Sequence, residues 1–351
     1  MRVPPKPWPG WLVVLMDVFL IGVTLNVFAL FHHVLPVAHS ADPIRNIVFG
    51  TEQATPQQPD TVLEPTPAPV ETDPGLAATP DVTPTPEPTP TPEPGDFSAT
   101  FPDYDTGASA LYSYQSDDVR IAVTQERSGE ATYYVADVYI RNIQQFQTAF
   151  GDGDTFQRGT SHTRMPIDIA NRVGAMVAIT GDYCGARSRG VVIRNGYLYR
   201  ESVAEDVCIL YADGVMETYY KDEFDLEAAI ARGAYQSWSF GPKLIDNGAQ
   251  PETYDGASEN LLSVINNRDP RAAIGYYAPG HYCLVVVDGR QGDYSRGMSL
   301  TQLSNLFLEM GCVDAYNLDG GQTAAMVFDG TVVNRPYKDG RVISDIIYFG
   351  G

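Results

Sequence analysis

A short apolar segment near the C-terminus runs into a loop that concentrates polar groups and glycines. Residues 314–325 read DAYNLDGGQTAA. The polar and glycine positions of this loop are Asn317, Asp319, Gly320, Gly321 and Thr323. Glycine allows positive φ angles and lets a ligand approach the main chain, so a carboxylate beside two glycines is typical of a functional site. The alternative is a tight turn whose Asn and Asp bond only to their own backbone.

Two further carboxylates follow apolar segments and have glycine neighbours. Asp182 follows a strand predicted at residues 175–180 and lies between Gly181 and the Tyr-Cys-Gly run that comes next. Asp288 ends a second strand, predicted at residues 282–287, and begins the sequence Asp-Gly-Arg. Carboxylates at strand ends are well placed for acid–base chemistry or ligand binding.

The spacing of elements in the last eighty residues indicates how these groups meet. The strand before Asp288 is followed by a helix that Ser299 can cap, and then by a strand at residues 313–318. Strand, helix, strand in this order predicts a right-handed crossover between parallel neighbours, which end at the same edge of a sheet. We therefore expect four side chains to lie close together, namely Asp288, Arg290, Asn317 and Asp319.

The globular part of the chain is predicted at residues 110–351. Alternating apolar and polar residues at 119–123 and 133–140 predict a hairpin, and the pairs Asn-Gly at 195 and Asp-Gly at 213 predict two more. Short helices are predicted at residues 165–172 and 226–231. The predicted fold class is α+β, with mixed, largely antiparallel sheets, flanking helices and one C-terminal βαβ crossover.

The N-terminal hundred residues have a different character. Residues 1–10 carry Arg2 and Lys6, and residues 11–35 are almost entirely apolar. This run is long enough for a membrane-spanning helix, and the preceding positive charges favour a cytoplasmic N-terminus. We expect an uncleaved anchor, with a signal peptide cut near residues 39–41 as the alternative, and a domain outside the cell.

Residues 36–109 are predicted to be an extracellular linker. Between positions 51 and 94 the chain has 13 prolines, eight acidic residues and no Lys or Arg. Such a segment buries little apolar surface and favours extended polyproline conformation, which makes it a semi-rigid spacer. The net charge of −21 argues against nucleic-acid partners.

Several ordered motifs resemble one family, the phosphodiester glycosidase domain, which also occurs in bacterial surface proteins linked to exopolysaccharide. The motifs are AITGDY at 178, GVVIRNG at 190, SFGPKLI at 239, PRAAIG at 270, VVVDGR at 285, NLDGG at 317, VVNRP at 332 and Arg341. The resemblance covers residues 110–351. Two positions depart from the family pattern: Thr180 stands where Asn is usual, and Gln322 enlarges a loop that is often Gly-Gly-Gly-Ser.

The resemblance implies hydrolysis of a sugar-1-phosphodiester in a cell-surface or wall glycan. Guanidinium groups bind phosphate oxygens in a fixed fork, so Arg271 and Arg290 are the phosphate-binding candidates, or structural ion-pair partners of Asp269 or Asp288. Glycosidic cleavage usually uses two carboxyl groups. Asp319 and Asp182 are expected to do the acid–base work, and Asp288 to orient Arg290. The remaining substrate-binding candidates are Asn317, Gly320, Gly321, Thr323, Asn334 and Arg341.

Three alternatives stay open at this point. The carboxylates Asp182, Asp288 and Asp319 could instead hold Ca²⁺ or another divalent cation, which takes oxygen ligands. The four cysteines could form two disulfides, Cys184 with Cys208 and Cys283 with Cys312, or remain buried thiols. A noncatalytic module that binds wall polysaccharide or assists exopolysaccharide assembly would also suit an anchored surface domain, although converging titratable groups favour an enzyme.

Overall fold

The computed structural model describes residues 40–41, 43–47, 95–103, 109–153, 156–159, 162–254 and 266–351. The segments predicted as cytoplasmic N-terminus, membrane anchor and proline-rich repeat lie outside these ranges. Within the ranges, no helix combines the length and the apolar character that crossing a bilayer requires.

The largest sheet has seven strands, and every neighbouring pair in it is antiparallel. In spatial order its strands are β14 (Lys243–Ile245), β17 (Asp314–Asn317), β15 (Arg271–Ala278), β16 (His281–Val287), β5 (Ala131–Ile140), β4 (Val119–Ser128) and β3 (Tyr112–Gln115). The predicted hairpin around residues 127–130 is β4 and β5, whose ten-residue strands pair along their whole length.

A second sheet of five strands is also antiparallel throughout. In spatial order its strands are β19 (Thr331–Val332), β18 (Met326–Phe328), β8 (Val177–Thr180), β20 (Asp345–Phe349) and β6 (Gln147–Phe150). The chain's last strand, β20, therefore lies in the middle of the sheet, beside the strand that leads to Asp182.

Three small sheets and three α-helices complete the part of the fold that the described ranges cover. In spatial order, the first small sheet consists of β12 (Met216–Tyr219), β11 (Val207–Tyr211) and β13 (Ala234–Trp238). The second consists of β2 (Arg45–Asn46), β10 (Tyr197–Arg200) and β9 (Val192–Arg194). The third is the pair β1 (Ser40–Ala41) and β7 (Phe156–Gln157). The helices are α1 (Pro166–Val173), α2 (Leu226–Ala231) and α3 (Leu300–Glu309). Ser299 caps α3, as predicted, and the structure adds a full capping box with Gln302.

The two large sheets pack face to face, because alternate residues of a strand point to opposite sides. Ile274 of β15 belongs to one buried cluster with Ile179 of β8, whereas its neighbour Ala273 belongs to another with Phe307 of α3. Ala178 of β8 likewise packs on the opposite side of its sheet, in the cluster that contains residues of α1. The result is a two-sheet sandwich with one helix on each outer face.

The strands on either side of α3 are not the predicted parallel neighbours. Both β16 and β17 pair antiparallel with β15, which lies between them. The two strands therefore run in the same direction with β15 inserted, because the short turn at residues 279–280 lets β15 pair first with β16. Both still end beside the start of β15, where Val287 faces Arg271 and Asn317 faces Ala273.

The folded part of the chain begins earlier than residue 110. Phe97 is buried in the main core and its backbone N–H donates to Arg141 O at 2.7 Å. Residues of β1 and β2, inside the predicted linker, pair with β7 and β10. The domain therefore begins before the predicted boundary at residue 110. The polar composition of this segment gives no sign of these contacts.

Candidate functional site

Three carboxyl ends of strands meet at one edge of the sandwich. The strands β16 and β17 of the large sheet end there, and so does β8 of the five-stranded sheet. The backbone joins the two sheets at this point, since Asp319 N donates to Gly181 O at 3.0 Å and Leu318 N donates to Ala272 O at 2.8 Å. The loop after β17 therefore lies between the sheets, and its side chains are fixed by both.

Asp319 is a buried carboxyl group whose hydrogen bonding is incomplete. Its Oδ2 is buried and has no hydrogen-bond partner in the described part of the chain. Burial raises the pKa of Asp319 to about 7, against the opposing influence of Thr323, Arg341 and Arg187. A carboxyl group with this pKa can both accept and donate a proton near neutral pH.

Of the two glycines after Asp319, the first is required by close packing and the second by its positive φ angle. A Cβ on Gly320 would lie 2.7 Å from Pro270 O, and Gly321 has a φ of 67°. A Cβ on Gly321 would lie 3.6 Å from Nη1 of Arg290. The loop thus accommodates the start of β15 on one side and the guanidinium of Arg290 on the other.

Arg290 and Arg341 are two cations with exposed guanidinium groups at this edge. Arg290 Nε donates to Asp269 Oδ1 at 2.8 Å, while Nη1 and Nη2 make no hydrogen bond to a described residue. Arg341 makes no hydrogen bond or ion pair within the described ranges, and its guanidinium carbon lies 5.8 Å from the ring centre of Tyr183. Both predicted residues therefore keep donors for an anion.

Arg271 has different surroundings from the other two arginines. It is buried, its Nε donates to Met298 O at 2.9 Å and its Nη2 donates to Asn267 O at 3.0 Å. Burial lowers the pKa of Arg271 to about 10, even though Asp269 opposes this shift. These contacts brace the backbone beneath the site, so they favour a positioning role over the predicted contact with phosphate.

Asp182 belongs to a buried ion triad that the sequence does not reveal. Arg194 of β9 reaches Asp182 Oδ1 at 2.9 Å and Asp345 Oδ2 of β20 at 2.8 Å. The second oxygen of Asp182 accepts from Ser239 N at 2.9 Å, and Cys184 N donates to Oδ1 at 3.1 Å. Both oxygens of Asp182 are thus engaged, and its contacts favour holding the loop over acid–base work.

Asp288 is also saturated by protein donors. Its Oδ2 accepts from Tyr294 Oη at 2.9 Å, its Oδ1 accepts from Asn334 Nδ2 at 2.8 Å, and Arg335 N donates to both oxygens. Burial raises the pKa of Asp288, and these hydrogen bonds oppose the shift. The expected pairing of Asp288 with Arg290 is wrong, because Arg290 pairs with Asp269 instead.

Two polar side chains at the strand ends keep an unused atom. Asn317 Nδ2 donates to Gly241 O at 2.8 Å, but its buried Oδ1 has no partner among the described residues. Thr180 Oγ1, at the end of β8, is also buried and has no hydrogen-bond partner among the described residues. Buried polar atoms without partners are uncommon, and near an active site they are typical of groups that a ligand completes.

Sequence reasoning missed Arg187 and Glu205 as well as Arg194 and Asp345. Arg187 lies in the loop after β8 and its charge acts on Asp319. Its partner Glu205 precedes β11, and their closest N and O atoms are 3.5 Å apart. Only the polar character of Arg194 within an apolar strand could have signalled any of these four.

The residues at this edge do not fit the divalent cation that is the alternative ligand of the three carboxylates. Asp182, Cys184 and Asp345 have ligand atoms within 4.8 Å of one another, but the guanidinium of Arg194 already lies between the two carboxylates. Asp288 is saturated by neutral donors. A hard cation such as Ca²⁺ takes six to eight oxygen ligands, which this donor set does not offer.

The four cysteines are buried thiols, which is the second of the two alternatives, and the disulfides Cys184–Cys208 and Cys283–Cys312 are not formed. Cys283 and Cys312 do lie together, with their sulfur atoms 3.8 Å apart. Cys184 and Cys208 pack in separate hydrophobic clusters, because the turn after Asp182 directs Cys184 toward Phe150.

Comparison with known proteins gives a consistent result. The family model for phosphodiester glycosidase matches residues 173–350. The chain is 30% identical over 243 residues to the SPbeta prophage-derived uncharacterized protein YomE of Bacillus subtilis (strain 168), covering 62% of this chain and 37% of that protein. It is 34% identical over 85 residues to the N-acetylglucosamine-1-phosphodiester alpha-N-acetylglucosaminidase of Bos taurus, covering 24% of this chain and 15% of that enzyme.

Two solved structures share the fold. The zebrafish N-acetylglucosamine-1-phosphodiester alpha-N-acetylglucosaminidase catalytic domain, auto-inhibited by its pro-peptide, superposes with a TM-score of 0.51 at 19% identity, covering 70% of this chain and 87% of that one. A hypothetical protein from Synechocystis gives 0.52 at 15% identity, covering 69% and 64%. The chain thus spans well under half the length of the curated relatives above but most of the zebrafish catalytic domain. Together with the motifs and the matched family model, these findings show that the chain belongs to the phosphodiester glycosidase family.

Proposed function

We propose that this protein hydrolyses the glycosidic bond of a sugar-1-phosphodiester, with Asp319 as the group that moves the proton. The observation that carries the proposal is the state of Asp319, a buried carboxyl group with an unpartnered oxygen and a pKa of about 7. A residue of this kind at converging strand ends, beside exposed cations, is a strong candidate for chemistry. The family to which the chain belongs supports the class of reaction.

One available carboxylate is sufficient for this reaction. The oxygen of a water molecule bonds to the anomeric carbon, and the bond from that carbon to the phosphate oxygen breaks. Its electron pair leaves with the phosphate, which becomes a phosphomonoester, and the proton of the attacking water passes to the Asp319 carboxylate. A phosphate group leaves readily as an anion, so the second carboxyl group that most glycosidases use as an acid is not needed.

The phosphate is proposed to bind to Arg290 and Arg341. Both guanidinium groups have donors that no described residue uses, and a guanidinium can bind two phosphate oxygens at once. Arg290 lies against Gly321, two residues after Asp319, so phosphate on Arg290 would place the adjoining sugar near the carboxyl group.

The test is turnover of a panel of sugar-1-phosphodiesters by the full chain, beginning with N-acetylglucosamine because it appears in the names of two relatives. The free sugar and the phosphomonoester are both measured. We expect Asp319→Asn to lower kcat by about 100-fold or more, since general acid–base catalysis contributes about 10²- to 10⁴-fold. We expect Arg290→Ala to raise KM by about tenfold, the loss of one charge-assisted contact.

Asp314→Asn is the matched control. Asp314 is another buried carboxyl group whose pKa burial raises to about 7, but it lies at the opposite end of β17 from Asn317. We expect its turnover to equal that of the unaltered chain. The absence of turnover on every diester, with glycan binding that survives Asp319→Asn, would instead favour a noncatalytic binding module.

We also propose that the reaction takes place outside the cell, on a chain held by its N-terminal segment. The support is the apolar run at residues 11–35 with Arg2 and Lys6 before it. A phosphodiester-linked sugar of a cell-surface or wall glycan is the substrate that such a location would provide.

A further inference from the structure

Arg187 and Glu205 form a partly buried ion pair that the proposed reaction does not use. Arg187 Nη1 lies 3.5 Å from Glu205 Oε1 and donates to Ser239 O at 3.1 Å. The guanidinium carbon lies 4.7 Å from the ring centre of Phe240. The side chains of Arg187 and Glu205 are 17% and 11% exposed, so the pair is held in place yet reaches the surface.

The pair is joined to the candidate active site by the segment from Ser239 to Pro242. Ser239 N donates to Asp182 Oδ2 at 2.9 Å, while the carbonyl oxygen of Ser239 accepts a hydrogen bond from the guanidinium of Arg187. Two residues later, Gly241 O accepts from Asn317 Nδ2 at 2.8 Å. One short segment therefore fixes Arg187, Asp182 and Asn317 relative to one another, and the charge of Arg187 reaches Asp319.

Both members of the pair have hydrogen-bonding capacity to spare. Glu205 Oε2 has no partner within the described ranges. Arg187 donates only through Nη1 there, which leaves Nε and Nη2. Rotation about χ3 of glutamate is soft and exchanges its two oxygens, so the acceptor can be turned toward the exposed side of the pair.

We propose that Arg187 and Glu205 form a sugar-binding subsite beside Asp319, which recognises two adjacent free hydroxyl groups on a neutral sugar ring. A hydroxyl group donates to the carboxylate, and the oxygen of its neighbour accepts from the guanidinium. The proposal rests on the hydrolytic function proposed above, because the sugar it binds is the one cleaved at Asp319.

The charge of the pair separates this subsite from the phosphate site. Glu205 neutralises Arg187 and would repel a phosphate, whereas Arg341 has no ion-pair partner in the described part of the chain. The two ends of a sugar-1-phosphodiester, neutral ring and anionic phosphate, thus match two differently charged groups of side chains.

The test compares the full chain with Glu205→Gln, which keeps the shape of the side chain and removes its charge. Turnover is measured on an intact sugar-1-phosphodiester and on analogues that each lack one ring hydroxyl. We expect Glu205→Gln to raise KM by about tenfold on the intact substrate with kcat nearly unchanged, since loss of a substrate hydrogen bond to a buried polar group is strongly felt. On the analogue that lacks the recognised hydroxyl, the unaltered chain and the variant should have the same KM.

Two further variants separate binding from folding. Arg187→Lys keeps the positive charge and loses the fork, so its KM should also rise, while its thermal unfolding should match that of the unaltered chain. Glu227→Gln removes an exposed ion pair with Arg45, 3.1 Å long, and should change neither KM nor kcat. An equal loss by Glu205→Gln on intact and deoxy substrates, or an unchanged KM, would overturn the subsite.

Binding of a methyl glycoside, measured by saturation-transfer NMR, distinguishes failure of the subsite from failure of the proposed reaction. Binding that Glu205→Gln abolishes, on a chain that turns over no diester, supports the subsite and contradicts the hydrolytic function. Turnover with unaltered KM in Glu205→Gln supports the function and contradicts the subsite.

Discussion

Asp319 differs from Asp182 and Asp288 in what surrounds its oxygens. Asp182 has a guanidinium and two backbone N–H donors, and Asp288 has a hydroxyl, an amide and a backbone N–H. Asp319 has a buried oxygen with no partner among the described residues. Three carboxylates of the same type at one sheet edge are thus divided by hydrogen bonding into two that hold loops and one that can exchange a proton.

The raised pKa of Asp319 predicts a stability penalty at neutral pH. Its pKa is about 7 in the folded chain, against about 3.9 in an unfolded one. Between these values the folded state keeps a proton that the unfolded state has lost, so raising the pH through this window destabilises the fold. Asp319→Asn removes the titration and should therefore be more stable than the unaltered chain at pH 8, by about 4 kcal/mol, and nearly equal to it at pH 4.

Denaturant unfolding at the two pH values, followed by tryptophan fluorescence, measures this difference. Asp314→Asn should show the same pH-dependent gain in the free energy of unfolding as Asp319→Asn, because burial also raises the pKa of Asp314 to about 7. It should differ in activity, which only Asp319→Asn loses. A stability gain for Asp319→Asn that is the same at both pH values would contradict the raised pKa.

Three elements of the five-stranded sheet and its surroundings are joined by a single guanidinium. Arg194 lies on β9, Asp345 begins β20, and Asp182 follows β8. Burial disfavours the charged form of Arg194, but Asp182 and Asp345 raise the pKa of Arg194 above its ordinary value. The ion triad therefore sets the path of the loop on which Gly181 meets Asp319.

Arg194→Gln is expected to destabilise the protein by about 3–5 kcal/mol, because it leaves two buried carboxylates without their shared cation. The comparison is Arg232→Gln, which breaks a half-exposed ion pair with Glu217, 2.6 Å long, and should cost less than about 1 kcal/mol. Adding Asp345→Asn to Arg194→Gln should restore part of the loss. Denaturant unfolding measures all three variants, and an Arg194→Gln chain as stable as Arg232→Gln would contradict a structural triad.

Local features of the elements could be predicted from the sequence, whereas pairings between distant elements could not. The capping box of α3, the hairpin of β4 and β5 and the Gly-Gly loop depend on residues near one another in the chain. The insertion of β15 between β16 and β17 depends on which strand edge is free, which periodicity does not encode. Arg194 reaches a partner 151 residues away in Asp345, and no short motif carries that information.

The same distinction explains the errors at individual side chains. Asp288 is expected from the sequence to orient Arg290, with a structural ion pair to Asp269 or Asp288 as the alternative. The backbone of Arg290 is in the left-handed region, with a φ of 58°. In this conformation its guanidinium forms an ion pair with Asp269 and not with Asp288. The sequence thus indicated that Arg290 lies near the carboxylates, but which carboxylate it pairs with depends on backbone geometry.

At the scale of the whole molecule, the N-terminal residues of the described chain are held on the domain. Residues 40–41 pair with β7 and residues 45–46 pair with β10. Gly95 then rejoins the fold, where a Cβ would lie 2.7 Å from Ile143. The described residues on either side of the proline-rich segment, 43–47 and 95–103, therefore both contact the domain.

In the sequence, the anchor predicted at residues 11–35 ends only a few residues before β1, so we expect the domain to remain close to the membrane surface. Each arginine at the centre of a spanning helix opposes insertion by about 2.5–3.5 kcal/mol, so Leu20→Arg with Leu25→Arg should release the full chain from membranes washed in alkaline carbonate. Ala78→Arg, in the proline-rich segment, adds the same charge outside the apolar run and should leave the chain in the membrane pellet. Recovery of the unaltered chain in the carbonate supernatant would exclude a spanning anchor, because alkaline washing removes proteins that are held only at the surface.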